Sequence, residues 1–289
     1  MGTKVLVLGS TGRIGTMLRP VWDAGSCGRG IEFTYQTRRP GPEHASDVLW
    51  NLEGSPPAQL LEAGPFDVLL VLSGVVPRAG AKLAQNAAIG LDSLEAAKAL
   101  GAKTVILASS SAVYGMQSDS PYHEDDCPAP ANDYGRAKYE MEQRCAVHAR
   151  DLGLVLCCLR IGNVAGADAL LGNGAALKQG ARLRIDSFSG GGTPLRSYIG
   201  PHTLAKVLCE LVQNHKALPG VLNIGAPNPV EMATLAQAAG MAFDLVPAMG
   251  SAHQYITMDC AALAGLYSFS ATDSDPAQMA AQWRSLRND

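Results

Sequence analysis

A phenol and an ammonium group stand four residues apart in Tyr134-Gly-Arg-Ala-Lys138, a spacing that places both on one face of a helix, one turn apart. A free phenol titrates at about 10 and is a poor base near neutral pH, but a fixed cation beside it favours the phenolate. The pair is then a proton relay. Upstream, Ala108-Ser-Ser-Ser-Ala-Val-Tyr-Gly115 follows an apolar run, and Ser110, 24 residues before Tyr134, can bring a hydroxyl beside the phenol. Singly, each pattern is an ordinary helix face or turn. Together and in this order they suit proton transfer at a carbonyl or alcohol oxygen.

A second constellation lies near the start of the chain. Gly9-Ser-Thr-Gly12-Arg-Ile-Gly15 follows the apolar run 3–8 and precedes an amphipathic stretch that reaches Trp22. This reads as strand, tight turn and helix, with Pro20 expected to kink or end the helix early. Glycine lacks the Cβ that would keep a pyrophosphate from the backbone, and the amides at the helix start face such an anion with the positive end of the helix dipole behind them. The candidate cofactor positions here are Gly9, Thr11, Gly12, Arg13, Ile14 and Gly15, joined by Leu72, Ser73 and Gly74 after a later apolar run. A second strand, 31–37, leads into Arg38-Arg39-Pro40 with no acid at its end. An acid there bonds the ribose 2′-hydroxyl of NAD and an arginine accommodates the 2′-phosphate of NADP, so Arg38 and Arg39 favour NADP over NAD.

The elements that must position these groups alternate. Strands are expected at 67–73, 103–108 and 154–160, and helices at 79–100 and 134–151, the rhythm of a doubly wound α/β domain around a parallel sheet. Beyond Arg160, Gly172-Asn-Gly174, Gly190-Gly-Gly192 and Pro227-Asn-Pro229 interrupt shorter elements, with a helix at 202–214, a strand at 221–224 and a last helix at 278–286 that carries Trp283 as a packing anchor. The expected division is 1–165 for the dinucleotide domain and 166–289 for a smaller lobe, with 196–226 packing back on the first. Thirty-one of the 289 residues are glycine, about 11% against a usual share of about 7%, and they sit without period in a chain that is 47% hydrophobic. Fibrous and disordered proteins are thereby excluded. Gly74, Gly115, Gly162 and Gly166 are expected to face ligand, while Gly190 to Gly192 form either a lid or a plain loop.

A net charge of −3 without long runs of one sign directs attention away from nucleic acid and anionic membranes. No apolar run reaches the roughly 18 residues needed to cross a bilayer, and no leader pattern follows Met1, so a soluble cytoplasmic protein is expected. Seven cysteines without a Cys-x-x-Cys pair read as free thiols, mostly in the core. His123-Glu-Asp-Asp126 reads as an acidic loop, and no metal is expected.

The sequence resembles the extended short-chain dehydrogenase/reductases, the NAD-dependent epimerase/dehydratase group that acts on sugars and nucleotide sugars. The resemblance rests on Gly9/Gly12/Gly15, Asn86 with Leu94-Glu-Ala-Ala97, Ser109-Ser-Ser-Ala-Val-Tyr-Gly115, Tyr134-x-x-x-Lys138, Arg160-Ile-Gly-Asn163-Val-Ala-Gly166, Arg196-Ser-Tyr-Ile199 and Leu222-Asn-Ile-Gly225. It implies a Rossmann-type doubly wound parallel sheet with a smaller C-terminal substrate-binding lobe. It also implies an oxidoreductase or epimerase using NADP or NAD on a hydroxyl or keto group of a sugar, nucleotide sugar or polyol. By position, Ser110 is the catalytic hydroxyl, Tyr134 the acid/base, and Lys138 the group that holds the nicotinamide ribose and lowers the pKa of Tyr134. Asn86 positions the active-site helix or a water, and Asn51 and Leu52 pack on the adenine. Ser111, Asn163 and Arg196 meet substrate, Arg196 at a phosphate. Ser111-Ala112 stands where dehydratases carry an Asp-Glu pair, which makes water loss the less favoured branch. The family's pairing of the helices at 79–100 and 134–151 implies a homodimer. A non-catalytic dinucleotide sensor of the same fold is the alternative, opposed by the intact Ser110, Tyr134 and Lys138.

Overall fold

The computed structural model describes residues 2–27, 30–39, 41, 45–116, 120–175, 182–250 and 252–287. In chain order its first elements are β1 (Thr3–Leu8), α1 (Gly15–Asp23), β2 (Ile31–Thr37), β3 (Val48–Leu49), α2 (Ala58–Ala63), β4 (Val68–Val71), α3 (Gln85–Ala99), β5 (Thr104–Ala108), α4 (Asp133–Leu152) and β6 (Val155–Ile161). Then come β7 (Asn163–Val164), α5 (Leu171–Ala175), β8 (Leu183–Ser187), β9 (Leu195–Arg196), β10 (Tyr198–Ile199), α6 (Pro201–Gln213) and β11 (Val221–Ile224). The chain finishes with β12 (Val230–Glu231), α7 (Met232–Ala238), β13 (Phe243–Pro247), β14 (Tyr255–Ile256), α8 (Ala261–Ala264) and α9 (Pro276–Arg284).

One seven-stranded sheet runs in the order β11-β6-β5-β4-β1-β2-β3, and β1 to β6 pair in parallel. Its central strands are continuous Val/Leu runs because both faces are covered: Val5 to Leu8 and all of β4 are fully buried. Each such side chain contributes about 1.5–3 kcal/mol of burial. Two compact units result. The first comprises Met1–Gly115, Pro128–Arg160 and Lys206–Leu222; the second comprises Met116–Cys127, Ile161–Ala205 and Asn223–Asp289. The second unit carries small sheets, among them β8 paired in parallel with β13 and β9 flanked by β12 and β14.

Three expectations need correction. The helix expected at 79–100 begins only at Gln85, because Gly80 adopts a left-handed φ of 71° and the chain turns through Ala81 N–H to Arg78 C=O and Gln85 N–H to Lys82 C=O. Gly172-Asn-Gly174 lies inside α5 instead of breaking the chain. Finally, the cysteines are not all free thiols. Cys27, after α1, forms a disulfide with Cys209 on α6, with the Cα atoms 5.5 Å apart as such a bridge requires. Cys145, Cys157, Cys158 and Cys260 are free and buried, and Cys127 is free and exposed.

Candidate active site

The glycine turn is built from inside. Gly9 has a φ of 85°, and a Cβ on it would sit 2.6 Å from the Ser73 backbone nitrogen; a Cβ on Gly15 would run into the carbonyls of Gly9 and Ser10. These two are glycine so that β1, β4 and α1 can pack. Gly12 differs, because a Cβ there would meet only the Gly9 carbonyl, at 3.1 Å. Its exposed backbone is bare toward the outside. The amides of Thr11 and Ile14 have no partner among the described residues, and α1 begins without a side-chain cap or an acid in its first turn. Unpaired amides at an uncompensated helix start fit a pyrophosphate.

The end of β2 holds this turn in place. Gln36 is buried; its Oε1 accepts from Gly9 N–H at 3.2 Å, its carbonyl accepts from the Ser10 hydroxyl at 3.0 Å, and its Nε2 donates to the Trp50 carbonyl. The sequence reading missed Gln36, although a long amide among apolar and β-branched strand residues is a signal of an inward polar contact. Thr37 caps the next turn through Arg39, which leaves the side chains of Arg38 and Arg39 exposed. Asn51 is exposed and pairs with Glu53, while Leu52, at a φ of 68°, packs against the core.

Past β4, partly buried Leu72 and Ser73 lead to exposed Gly74. A Cβ on Gly74 would lie 3.1 Å from Asn86 Oδ1 and 3.2 Å from Lys138 Nζ, so a bare backbone lets both polar groups approach. Asn86 is fully buried and spends its amide on the backbone: Oδ1 accepts from Val75 N–H at 3.0 Å, and Nδ2 donates to the Val75 and Leu83 carbonyls at 2.9 Å each. It anchors the loop between β4 and α3.

Helix α4 presents the relay. Asn132 caps it by accepting from Gly135 N–H at 2.9 Å, Asp133 complements its positive end, and Gly153, at a φ of 68°, closes it. A Cβ on Gly135 would strike the Ala112 carbonyl, so glycine lets the first turn of α4 seat on the short Ser111–Val113 turn. That contact brings Tyr134 to Ser110. The Ser110 hydroxyl lies near enough to the Tyr134 phenol to draw its pKa down, and it accepts from Ala112 N–H at 3.2 Å. Ser109 points the other way, into the interior, as strand alternation demands, and Ser111 starts the turn.

Burial pushes the Tyr134 phenol up, against the downward pull of the nearby Ser110 hydroxyl and the Arg13 charge. Lys138 is buried, and its Nζ donates to the Ala108 carbonyl at 2.8 Å. Burial brings Lys138 itself down to about 8.

In the second unit, Asn163 is paired with Tyr198 across β7 and β10, and its backbone N–H donates to the Ser197 carbonyl. Arg196 Nη1 donates to the carbonyls of Leu195 and Gln254, and Nη2 to that of His253, at 2.7–2.9 Å; burial draws its pKa down, against the pull of the Tyr198 and Asp186 charges. At Gly115, Gly162 and Gly166 protein packing by itself requires glycine. A Cβ would press on the Ala129 carbonyl at Gly115, on the Ser197 carbonyl at Gly162 and on the Trp283 indole at Gly166. Trp283 is buried, as its anchoring role requires.

A parallel sheet with a glycine turn after its first strand, and a serine, tyrosine and lysine on β5 and α4, defines a Rossmann-type protein of the short-chain dehydrogenase/reductase class. Within that class the chain belongs to the NAD dependent epimerase/dehydratase family, whose pattern matches residues 5–225. Over 176 residues it is 33% identical to the UDP-glucose 4-epimerase of Azospirillum brasilense, a match covering 57% of this chain and 50% of that one. The chain thus spans about half the length of this curated relative. Among solved structures it is similar to the UDP-glucuronic acid 4-epimerase of Bacillus cereus in complex with UDP-glucuronic acid and NAD, with a TM-score of 0.75, 19% identity and coverage of 99% of this chain and 100% of that one. It is similar also to the UDP-glucose-4-epimerase of Stenotrophomonas maltophila with bound NAD and formylated UDP-arabinopyranose, with a TM-score of 0.75, 18% identity and 98% coverage of each chain.

Proposed function

We propose that the chain is an NAD(P)-dependent enzyme that oxidises a hydroxyl of a sugar, most simply a UDP-sugar, and returns hydride to the opposite face as a 4-epimerase does. The observation that carries this reading is the Ser110 hydroxyl close enough to the Tyr134 phenol to act on its pKa, with Lys138 one turn further along α4. The bound dinucleotide supplies hydride acceptance and return at its nicotinamide. The chain supplies position and proton handling. The amides of the glycine turn hold the pyrophosphate, Arg38 and Arg39 accommodate a 2′-phosphate, and Asn51 and Leu52 flank the adenine. Ser110 orients the sugar hydroxyl, Tyr134 takes its proton as the carbinol becomes a ketone, and Lys138, beside the bare backbone of Gly74, meets the nicotinamide ribose. The curated relative is a UDP-glucose 4-epimerase, and both solved structures hold UDP-sugars with NAD. They support this substrate class.

The residues beyond 165 form the substrate lobe in this reading, with Asn163, Arg196 and Ser111 meeting substrate. Arg196 has donors to spare beyond its three carbonyls for a phosphate. The protein works in the cytoplasm as a homodimer joined through α3 and α4. Incubation with UDP-glucose, UDP-galactose, UDP-glucuronic acid and free sugars, each with NAD or NADP, tests the proposal. Epimer formation without net NAD(P)H is the expected result, lost by more than about 100-fold in Tyr134→Phe with cofactor binding kept. Net NAD(P)H accumulation would replace epimerase by dehydrogenase, and unchanged turnover in Tyr134→Phe would refute the role of the phenol.

A further inference from the structure

A buried polar chain lies behind Ser110, made of groups that the proposed proton relay does not use. Ser109, Glu142 and Arg160 are each no more than 5% exposed. The Ser109 hydroxyl donates to Glu142 Oε1. Arg160 grips the same carboxylate, through Nε at 3.3 Å from both oxygens and through Nη2 at 2.9 Å from Oε2. Its guanidinium carbon also lies 4.7 Å from the centre of the Tyr114 ring, at the far end of the Ser111–Val113 turn. One carboxylate therefore ties together the end of β5, the end of β6, the middle of α4 and the turn that follows Ser110.

The placement is specific. Glu142 is one helical turn beyond Lys138 and two beyond Tyr134, so α4 carries all three groups along one face. Adjacent residues of an extended chain point oppositely, and holding the Ser109 side chain inward fixes the rotation that sends Ser110 toward Tyr134. A buried ion pair is a poor source of stability, because the desolvation of two charges offsets their attraction. Geometry is what this one contributes.

We propose that Glu142, held by Arg160, is a positioning residue that sets the direction of the Ser110 hydroxyl toward Tyr134 by fixing Ser109. The consequence for turnover rests on the proton relay described above; the positioning itself does not. Two variants test it. Ser109→Ala cuts the link and leaves the ion pair. Glu142→Met combined with Arg160→Met replaces the pair by apolar chains of similar size, a change that folds commonly tolerate.

Native-state hydrogen exchange on the full chain reads the turn without substrate, because the amides of Ala112, Val113 and Tyr114 bond the Ser110 hydroxyl, the Ser110 carbonyl and the Ser111 carbonyl respectively. In both variants these three amides should exchange about tenfold faster or more, while those of β1 and β4 keep their protection. Turnover on UDP-glucose should fall about 100-fold with KM within about twofold, and Ser109→Thr, which keeps the hydroxyl, should restore it. Unchanged protection in the turn, or equal loosening throughout the sheet, overturns the proposal. A turn that loosens as expected in a chain that epimerises no sugar upholds the positioning and refutes the proposed chemistry instead.

Discussion

Alanine at Gly12 and alanine at Gly15 should damage different properties. On Gly15 the new Cβ would meet the backbone oxygens of Gly9 and Ser10, the latter at 2.6 Å, and neither can move without unseating α1 from β1. Overpacking of this kind costs about 1–3 kcal/mol, which at about 2–4 °C per kcal/mol lowers Tm by roughly 2 to 12 °C. On Gly12 the Cβ would meet only the Gly9 carbonyl at 3.1 Å, a contact relieved by a shift of a few tenths of an ångström. Gly12→Ala should therefore keep its Tm within about 2 °C of the parent. Its loss should fall on the cofactor, because the methyl occupies the bare surface beside the amides of Thr11 and Ile14, which have no partner among the described residues. Losing one charge-assisted hydrogen bond to pyrophosphate removes about 1.5–3 kcal/mol, or roughly 10- to 100-fold in affinity. Thermal denaturation of both variants, with fluorescence titration by NADPH and NADH, gives the two readouts. The reasoning fails if Gly12→Ala binds within about twofold of the parent, or if it loses as much Tm as Gly15→Ala.

Arg38→Ala and Arg39→Ala should weaken NADPH about tenfold more than NADH; a preference for NADH in the parent chain would remove the 2′-phosphate role from these exposed side chains. Burial lowers Lys138 from 10.5 to about 8, so between those values the unfolded chain holds a proton that the folded chain has lost, and folded stability rises with pH across the window. In urea unfolding, the stability advantage of Lys138→Met over the parent should shrink by about 1 kcal/mol from pH 7 to pH 9, and a constant gap refutes the shift. Gln282 of α9 accepts from His202 and Thr203 N–H at 3.1 and 3.2 Å, serving as the cap that α6 lacks in its own sequence. Gln282→Ala should cost about 1–2 kcal/mol by calorimetry, whereas Gln282→Glu, still an acceptor and now complementary to the helix dipole, should not.

What the sequence made legible was whatever depends on near neighbours. β1 and β2 match their expected bounds because an unbroken Val/Leu run, or a β-branched and aromatic one, needs no distant partner to be read as a strand. Tyr134 and Lys138 are read from helical period alone. Residues 79–84 show the limit of that logic. Their Ala, Leu and Lys favour helix, but Gly80 takes a left-handed φ, and Asn86 draws the Leu83 and Val75 backbone into its own amide, so tertiary hydrogen bonds override propensity.

Distance along the chain explains the remaining failures. Cys27 and Cys209 are 182 residues apart, and no spacing rule reaches across that interval. The glycines sharpen the point, because composition and position after a strand cannot tell a glycine that admits ligand from one that admits protein. Gly166 looked like Gly74 in both respects, yet the Trp283 indole occupies the space beside Gly166, while Asn86 Oδ1 and Lys138 Nζ stand beside Gly74. An apolar ring seals its glycine. A fixed amide oxygen and an ammonium leave theirs polar and open, so the chemical nature of the neighbour, supplied by residues far off in sequence, decides which bare backbone can belong to the active site.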